Sequence, residues 1–161
     1  MCFCSITLIM ASIKRKRTSL GSTELSSCIN WWEPTIKSKS IRSYCKRFTR
    51  YGVSFGIYPT LILTKKISSN SQLAGVILES PLLYKGTDLL ETFMSVECPL
   101  IMLCSRTDSV VNFEDIKTIG LQNTHSKIIE FEADHCKIYS TSPEKLYDAL
   151  KSNIEVRQLS S

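Results

Sequence analysis

An α/β protein built on a mostly parallel sheet is what this sequence predicts, and three observations predict it. Residues 73–79 (Leu-Ala-Gly-Val-Ile-Leu-Glu) and 99–104 (Pro-Leu-Ile-Met-Leu-Cys) are continuously apolar over strand length, as parallel strands covered on both faces are. Amphipathic stretches with helical spacing separate such runs, the pattern of strands alternating with helices. The 161 residues are 43% hydrophobic, enough to bury a real core in a single domain.

Taken in order, 57–67 is expected to be a helix, its Pro59 tolerated in the first turn where amides lack partners anyway. Residues 73–79 and 99–104 are expected as central strands, with a helix over 88–96 between them. A helix over 112–121 follows. The run 127–131 is shorter and more alternating, which places it nearer a sheet edge. The last helix spans 142–154, with Leu146, Leu150 and Ile154 on one face and Ser142-Pro143-Glu144 as cap, first-turn proline and dipole-matched acid. These elements define a domain over 51–155 and a short tail over 156–161.

Residues 1–50 read differently. They hold ten Lys/Arg against Glu24 and Glu33, a balance of +8, whereas the remainder holds ten against thirteen Asp/Glu, a balance of −3. No sustained period of 2 or 3.6 runs through 14–50, so 1–50 is expected to be a basic, poorly ordered arm. Residues 38–50 look too basic to form a buried strand. Nucleic-acid binding would rest only on this charge and on Trp31 and Trp32; a solvated basic tail is the reading adopted, with no nucleic-acid partner.

The seven cysteines, Cys2, Cys4, Cys28, Cys45, Cys98, Cys104 and Cys136, are odd in number and widely spread, which fits a reducing, cytoplasmic compartment. No pair has Cys-x-x-Cys spacing and only His125 and His135 could add imidazoles, so no metal site is expected. Residues 1–13 are apolar but too short for a bilayer that needs ~20. Their charge, Lys14 to Arg17, follows the apolar run rather than preceding it, unlike a secretory signal. Cys2 and Cys4 beside that cluster are candidate S-acylation sites for peripheral attachment to the cytoplasmic face of a membrane, since stable anchoring takes two signals. The alternative is a short apolar arm that packs on the domain or is simply disordered.

Gly52-Val53-Ser54-Phe55-Gly56 matches Gly-x-Ser-x-Gly, the nucleophile elbow, in which a strained strand-to-helix turn raises the serine. A helix follows it and a strand returns, as an elbow requires. Asp108 lies four residues beyond the 99–104 strand and His135 lies just past 127–131, both at strand ends where open α/β sheets place functional groups. Ser54, Asp108 and His135 therefore stand in the order nucleophile, acid, base. Taken singly, each has a bland reading: a Gly-Ser turn, a loop Asp capping the next helix, a loop histidine. His125 precedes a strand and reads as structural or solvated.

Residues 51–60 (Tyr-Gly-Val-Ser-Phe-Gly-Ile-Tyr-Pro-Thr), 75–82 (Gly-Val-Ile-Leu-Glu-Ser-Pro-Leu), 98–111 (Cys-Pro-Leu-Ile-Met-Leu-Cys-Ser-Arg-Thr-Asp-Ser-Val-Val) and 134–139 (Asp-His-Cys-Lys-Ile-Tyr) resemble α/β-hydrolase-domain proteins of the membrane-associated depalmitoylase branch. The resemblance covers about 51–155. It implies the C-terminal half of an α/β-hydrolase fold with the N-terminal strands missing, Ser54 as nucleophile, Asp108 as acid, His135 as base, and an acyl ester or thioester substrate such as an S-acylated protein. Departures are the short 81–97 connection, Ser105-Arg106-Thr107 where His-Gly is usual, and Asp134 where glycine usually precedes the histidine.

Two functions from different classes follow. One is a serine hydrolase of acyl esters or thioesters, with the Phe55 amide as one oxyanion donor and no metal or organic cofactor. The other is a catalytically silent remnant or binding module that keeps part of the sheet.

Overall fold

A computed structural model of the chain describes residues 7–9, 48–67, 73–84 and 86–155, with only the backbone at 7–9 and 152–155. Five strands, β1 (Thr7–Ile9), β2 (Phe48–Val53), β3 (Leu73–Glu79), β4 (Leu100–Ser105) and β5 (Ser126–Phe131), form one sheet in sequence order. Every pairing is parallel. Helices α1 (Ile57–Lys66), α2 (Asp88–Met94) and α3 (Phe113–Gln122) make the crossovers, and α4 (Ile138–Thr141) and α5 (Pro143–Glu155) follow β5.

Strands that march in one direction through right-handed crossovers must carry their helices on one face. So it is here. Ile57 and Leu61 of α1, Phe93 of α2 and Phe113, Ile116 and Ile119 of α3 pack with Val76, Leu78, Leu100, Met102 and Cys104. The alternate strand residues, Tyr51, Ile77, Ile101, Leu103 and Phe131, point the other way and are covered by Ile138 of α4 and Leu146 of α5. With both faces covered, β3 and β4 have no polar-out positions, which is why their sequences are continuous apolar runs. Burying each such Leu or Ile stabilises by ~1.5–3 kcal/mol.

The predicted helices and strands after residue 51 match within one or two residues at each end, and α4 is an addition. Asn112 rather than Asp108 caps α3, its side chain accepting from the Asp115 amide at 3.1 Å. In α5 Pro143 is the first residue and the Ser142 carbonyl accepts from the Leu146 amide at 3.0 Å.

The expectation that 38–50 holds no buried strand is corrected at its end. Phe48, Thr49 and Arg50 open β2, the strand that leads into the elbow, and Arg50 is only 6% exposed. Its long aliphatic stem suits a covered strand position, and its guanidinium lies 6.0 Å from the Phe48 ring. Burial lowers its pKa to about 10. A second correction concerns Thr7–Ile9, which pairs in register with Arg50, Tyr51 and Gly52. The rest of the arm lies outside the described residues. Among the described residues no helix is long and apolar enough to cross a membrane.

At Gly75 β3 comes close to the residue that precedes β4: a Cβ there would sit 2.6 Å from the Pro99 carbonyl oxygen, which accepts from the Val76 amide at 2.8 Å. Backbone cannot yield cheaply. Gly75→Ala should therefore cost about 1–3 kcal/mol, read as a lower urea midpoint at unchanged m. An unshifted midpoint would contradict this packing.

Candidate active site

Parallel pairing brings the carboxyl ends of β2, β3, β4 and β5 to one edge of the sheet, and the candidate residues stand along it. Ser54 follows β2 directly and opens a short 3-10 turn, Ser54–Gly56, that runs into α1. Its φ of 50° is left-handed, a conformation that costs a non-glycine residue about 1–2 kcal/mol. That turn presents the serine hydroxyl instead of burying it in the ladder.

Gly52 makes the turn possible in a second way. A Cβ there would lie 2.7 Å from Thr60 Oγ1 and 3.1 Å from the Gly56 carbonyl, so β2 and α1 could not come this close. Thr60 in turn donates to the Gly56 carbonyl at 2.8 Å and locks the first turn of α1. Phe55 is exposed beside Ser54, and as a first-turn residue its amide belongs to the group of N–H donors that a helix does not use itself.

Ser54 Oγ lies 2.8 Å from His135 Nε2, and His135 Nδ1 lies 3.0 Å from both carboxylate oxygens of Asp108. A carboxylate can only accept, so the proton sits on Nδ1 and leaves Nε2 to accept from the serine hydroxyl. The Asp108 side chain is 2% exposed. Burial pushes its pKa up, but the amides of Val110 and Val111, each at 2.9 Å, together with His135 and Ser80, outweigh that and hold it below the usual carboxylate range. The structure thus brings together all three residues singled out as nucleophile, base and acid.

Ser80, inside the segment 75–82 that resembles the family, joins the site although its residue type in the sequence points to no role. It follows β3, is 1% exposed, has φ 47°, hydrogen-bonds Asp108, and accepts from the Cys136 amide at 3.2 Å. Cys136, with φ 59°, brings its thiol to the Ser54 hydroxyl, and burial is the main cause that raises its pKa. Ser54, Ser80 and Cys136, the three non-glycine left-handed residues among those described, all lie at this edge. Beneath them the Tyr51 hydroxyl donates to the buried carboxylate of Glu79. The signals in the sequence for Ser80 were its place just past a strand and within the segment 75–82 that carries the family resemblance.

The acid and histidine loops are tied to each other. Ser105 Oγ donates to the Ala133 carbonyl at 2.6 Å and accepts from the Ala133 amide at 2.8 Å. Arg106 stacks on Phe113 at 4.6 Å and reaches Glu130 at 2.6 Å, anchoring the turn that carries Asp108. His125 takes part through its backbone, its carbonyl accepting from the Leu100 amide at 3.0 Å. A groove of about 270 Å³ lined by Arg106, Glu130, Phe131, Glu132, Ser142 and Lys145 holds none of Ser54, Asp108 and His135. No group of three or more metal-ligating side chains occurs among the described residues, and Cys2, Cys4, Trp31 and Trp32 lie outside them.

No protein-family model and no curated protein matches the sequence. Solved structures do match. An esterase from Pyrococcus furiosus superposes with a TM-score of 0.65 at 16% identity, over 87% of this chain and 63% of its own. An α/β hydrolase enzyme from a lagoon-sediment metagenome gives 0.67 at 10% identity, over 83% and 71%. Est1E from Butyrivibrio proteoclasticus, with ferulic acid bound, gives 0.63 at 12%, over 85% and 68%. The chain has a partial α/β-hydrolase fold. It spans under two thirds of the length of the Pyrococcus esterase.

Asp108 offers a test through acid stability. Its folded pKa lies below the unfolded value of ~3.9, so its hydrogen bonds stabilise the fold above pH ~4 and that stabilisation is lost as pH falls through the folded value. Asp108→Asn should lower the urea midpoint at neutral pH and flatten its decline on acidification. Parallel curves for the two proteins would contradict the assignment.

Proposed function

We propose that the protein is a serine hydrolase that cleaves acyl esters or thioesters through a covalent acyl-enzyme. The observation that carries this reading is the unbroken hydrogen-bonded line from Ser54 Oγ through the His135 ring to the buried Asp108 carboxylate. His135 Nε2 takes the Ser54 proton as Oγ attacks the carbonyl carbon, then returns it to the leaving alkoxide or thiolate. Asp108 holds the tautomer and stabilises the imidazolium. Water, activated by the same nitrogen, then releases the acid and restores Ser54.

The Phe55 amide is the first oxyanion donor in this reading. Ile9 ends β1 opposite Gly52, so a neighbour of the elbow strand finishes at the same sheet edge, and a serine hydrolase of this fold needs a second oxyanion amide beside the first. Losing that donor would cost roughly 10²–10³ in turnover. The esterase and hydrolase neighbours support ester chemistry of this general kind; a thioester on an S-acylated protein is the finer proposal, drawn from the resemblance of 51–155 to the depalmitoylase branch.

A catalytically silent remnant or binding module is the second reading. A fluorophosphonate probe separates the two. Wild type should be labelled, Ser54→Ala should not, and His135→Ala should lose about 10⁴-fold or more of the labelling rate. Equal labelling of wild type and Ser54→Ala, or no labelling of wild type, would sink the hydrolase.

We further propose peripheral attachment to the cytoplasmic face of a membrane through S-acylated Cys2 and Cys4, reinforced by Lys14 to Arg17 at ~1 kcal/mol per basic residue before screening. Wild type should fractionate with membranes and a Cys2→Ser, Cys4→Ser protein with the cytosol. Identical partitioning of both would exclude acyl anchoring.

A further inference from the structure

Asp134 stands where the resembled family usually carries glycine, and its carboxylate is fully engaged. Oδ1 accepts from the Ser109 hydroxyl at 2.6 Å, the Ser109 amide at 3.3 Å and the His135 amide at 2.8 Å; Oδ2 takes Lys137 Nζ at 3.2 Å. Ser109 follows Asp108 on the loop after β4, and Asp134 precedes His135 on the loop after β5. One contact therefore joins the two loops a single residue away from the pair whose ring-to-carboxylate spacing is 3.0 Å.

We infer that Asp134 and Ser109 form a clasp that positions His135 on Asp108. This rests on the reading of Ser54, His135 and Asp108 as the catalytic triad. Both residues are positioning residues, since neither touches Ser54 or a reacting atom. The clasp lies at the surface, while a separate buried tie, Ser105 with both backbone groups of Ala133, already fastens the strand ends beneath it. Removing the clasp should therefore leave the fold standing and loosen only the last residues of each loop. The aim of the imidazole depends on those residues, and a misplacement near 1 Å can cost ~10² in rate. A carboxylate fits the role better than an amide because it can accept from all of these donors at once.

The full chain is compared with Asp134→Ala, Ser109→Ala, the double variant and Ser109→Thr, which keeps the hydroxyl. Three quantities are read: kcat and KM on a short-chain p-nitrophenyl ester, the thermal midpoint, and the downfield proton resonance of the His135 Nδ1–H in the Asp108 hydrogen bond. Each alanine variant should lose about tenfold to a hundredfold in kcat with KM and midpoint unchanged, and its Nδ1–H signal should broaden or vanish. The double variant should be no worse than either single one, and Ser109→Thr should stay within about twofold of wild type. Additive losses, a fall in midpoint that accounts for the loss of rate, or a sharp Nδ1–H signal in Asp134→Ala would overturn the clasp. Absence of any turnover by wild type would count against the hydrolase reading alone, because the Nδ1–H signal reports the clasp without turnover.

Discussion

In-register parallel pairing is the constraint on which the site depends. Val53 pairs with Glu79, Glu79 with Leu103, and Ser105 with Phe131, so three successive ladders bring their strands to a common edge. The residues that follow, Ser54, Ser80, Asp108 and His135, are thereby neighbours although up to 81 positions separate them in sequence. A slip of one residue in any ladder would turn that strand's buried set to the opposite face, and both faces here are packed with apolar side chains. Core packing and site geometry are consequently set together.

The edge concentrates the backbone cost found among the described residues. Left-handed Ser54, Ser80 and Cys136 are held by what surrounds them: Gly52 and Thr60 under the elbow, Asp108 and the Cys136 amide on Ser80, the Asp134 cluster before the histidine. Strain of this kind persists only where neighbouring structure over-determines it, and it gathers at functional sites. Asp108 illustrates the balance of forces. Burial alone would favour its neutral form, yet two backbone amides, an imidazole and a hydroxyl keep the carboxylate ionised and able to orient His135.

The partial sheet has its own consequences at the β2 side. Arg50 is covered although charged, and its Nε has no hydrogen-bond partner among the described residues, so burial lowers its pKa. β1 contributes only three paired residues there, against six for β2 with β3. The strands furthest from that side, β4 and β5, carry the fuller set of polar ties, through Ser105, Arg106 and Asp134. The loops that carry Asp108 and His135 are thus the more firmly fastened part of the site.

By itself the sequence determined the strands over 73–79, 99–104 and 127–131, the helices between them, and the order of Ser54, Asp108 and His135. These were legible because burial on both faces writes apolar runs, helices write a 3.6 period, and an elbow needs glycine at fixed offsets, all properties of residues close together in the chain. Only the tertiary structure decided that Phe48–Val53 is a strand, that Thr7–Ile9 pairs beside it, that Ser80 reaches Asp108, and that Asp134 meets Ser109. A basic strand hides from periodicity when an arginine stem takes an apolar place. A serine or an aspartate in a loop looks like any other until strand pairing fixes which loop lies next to it, because hydrogen-bond partners 25 or 56 residues apart leave no local pattern.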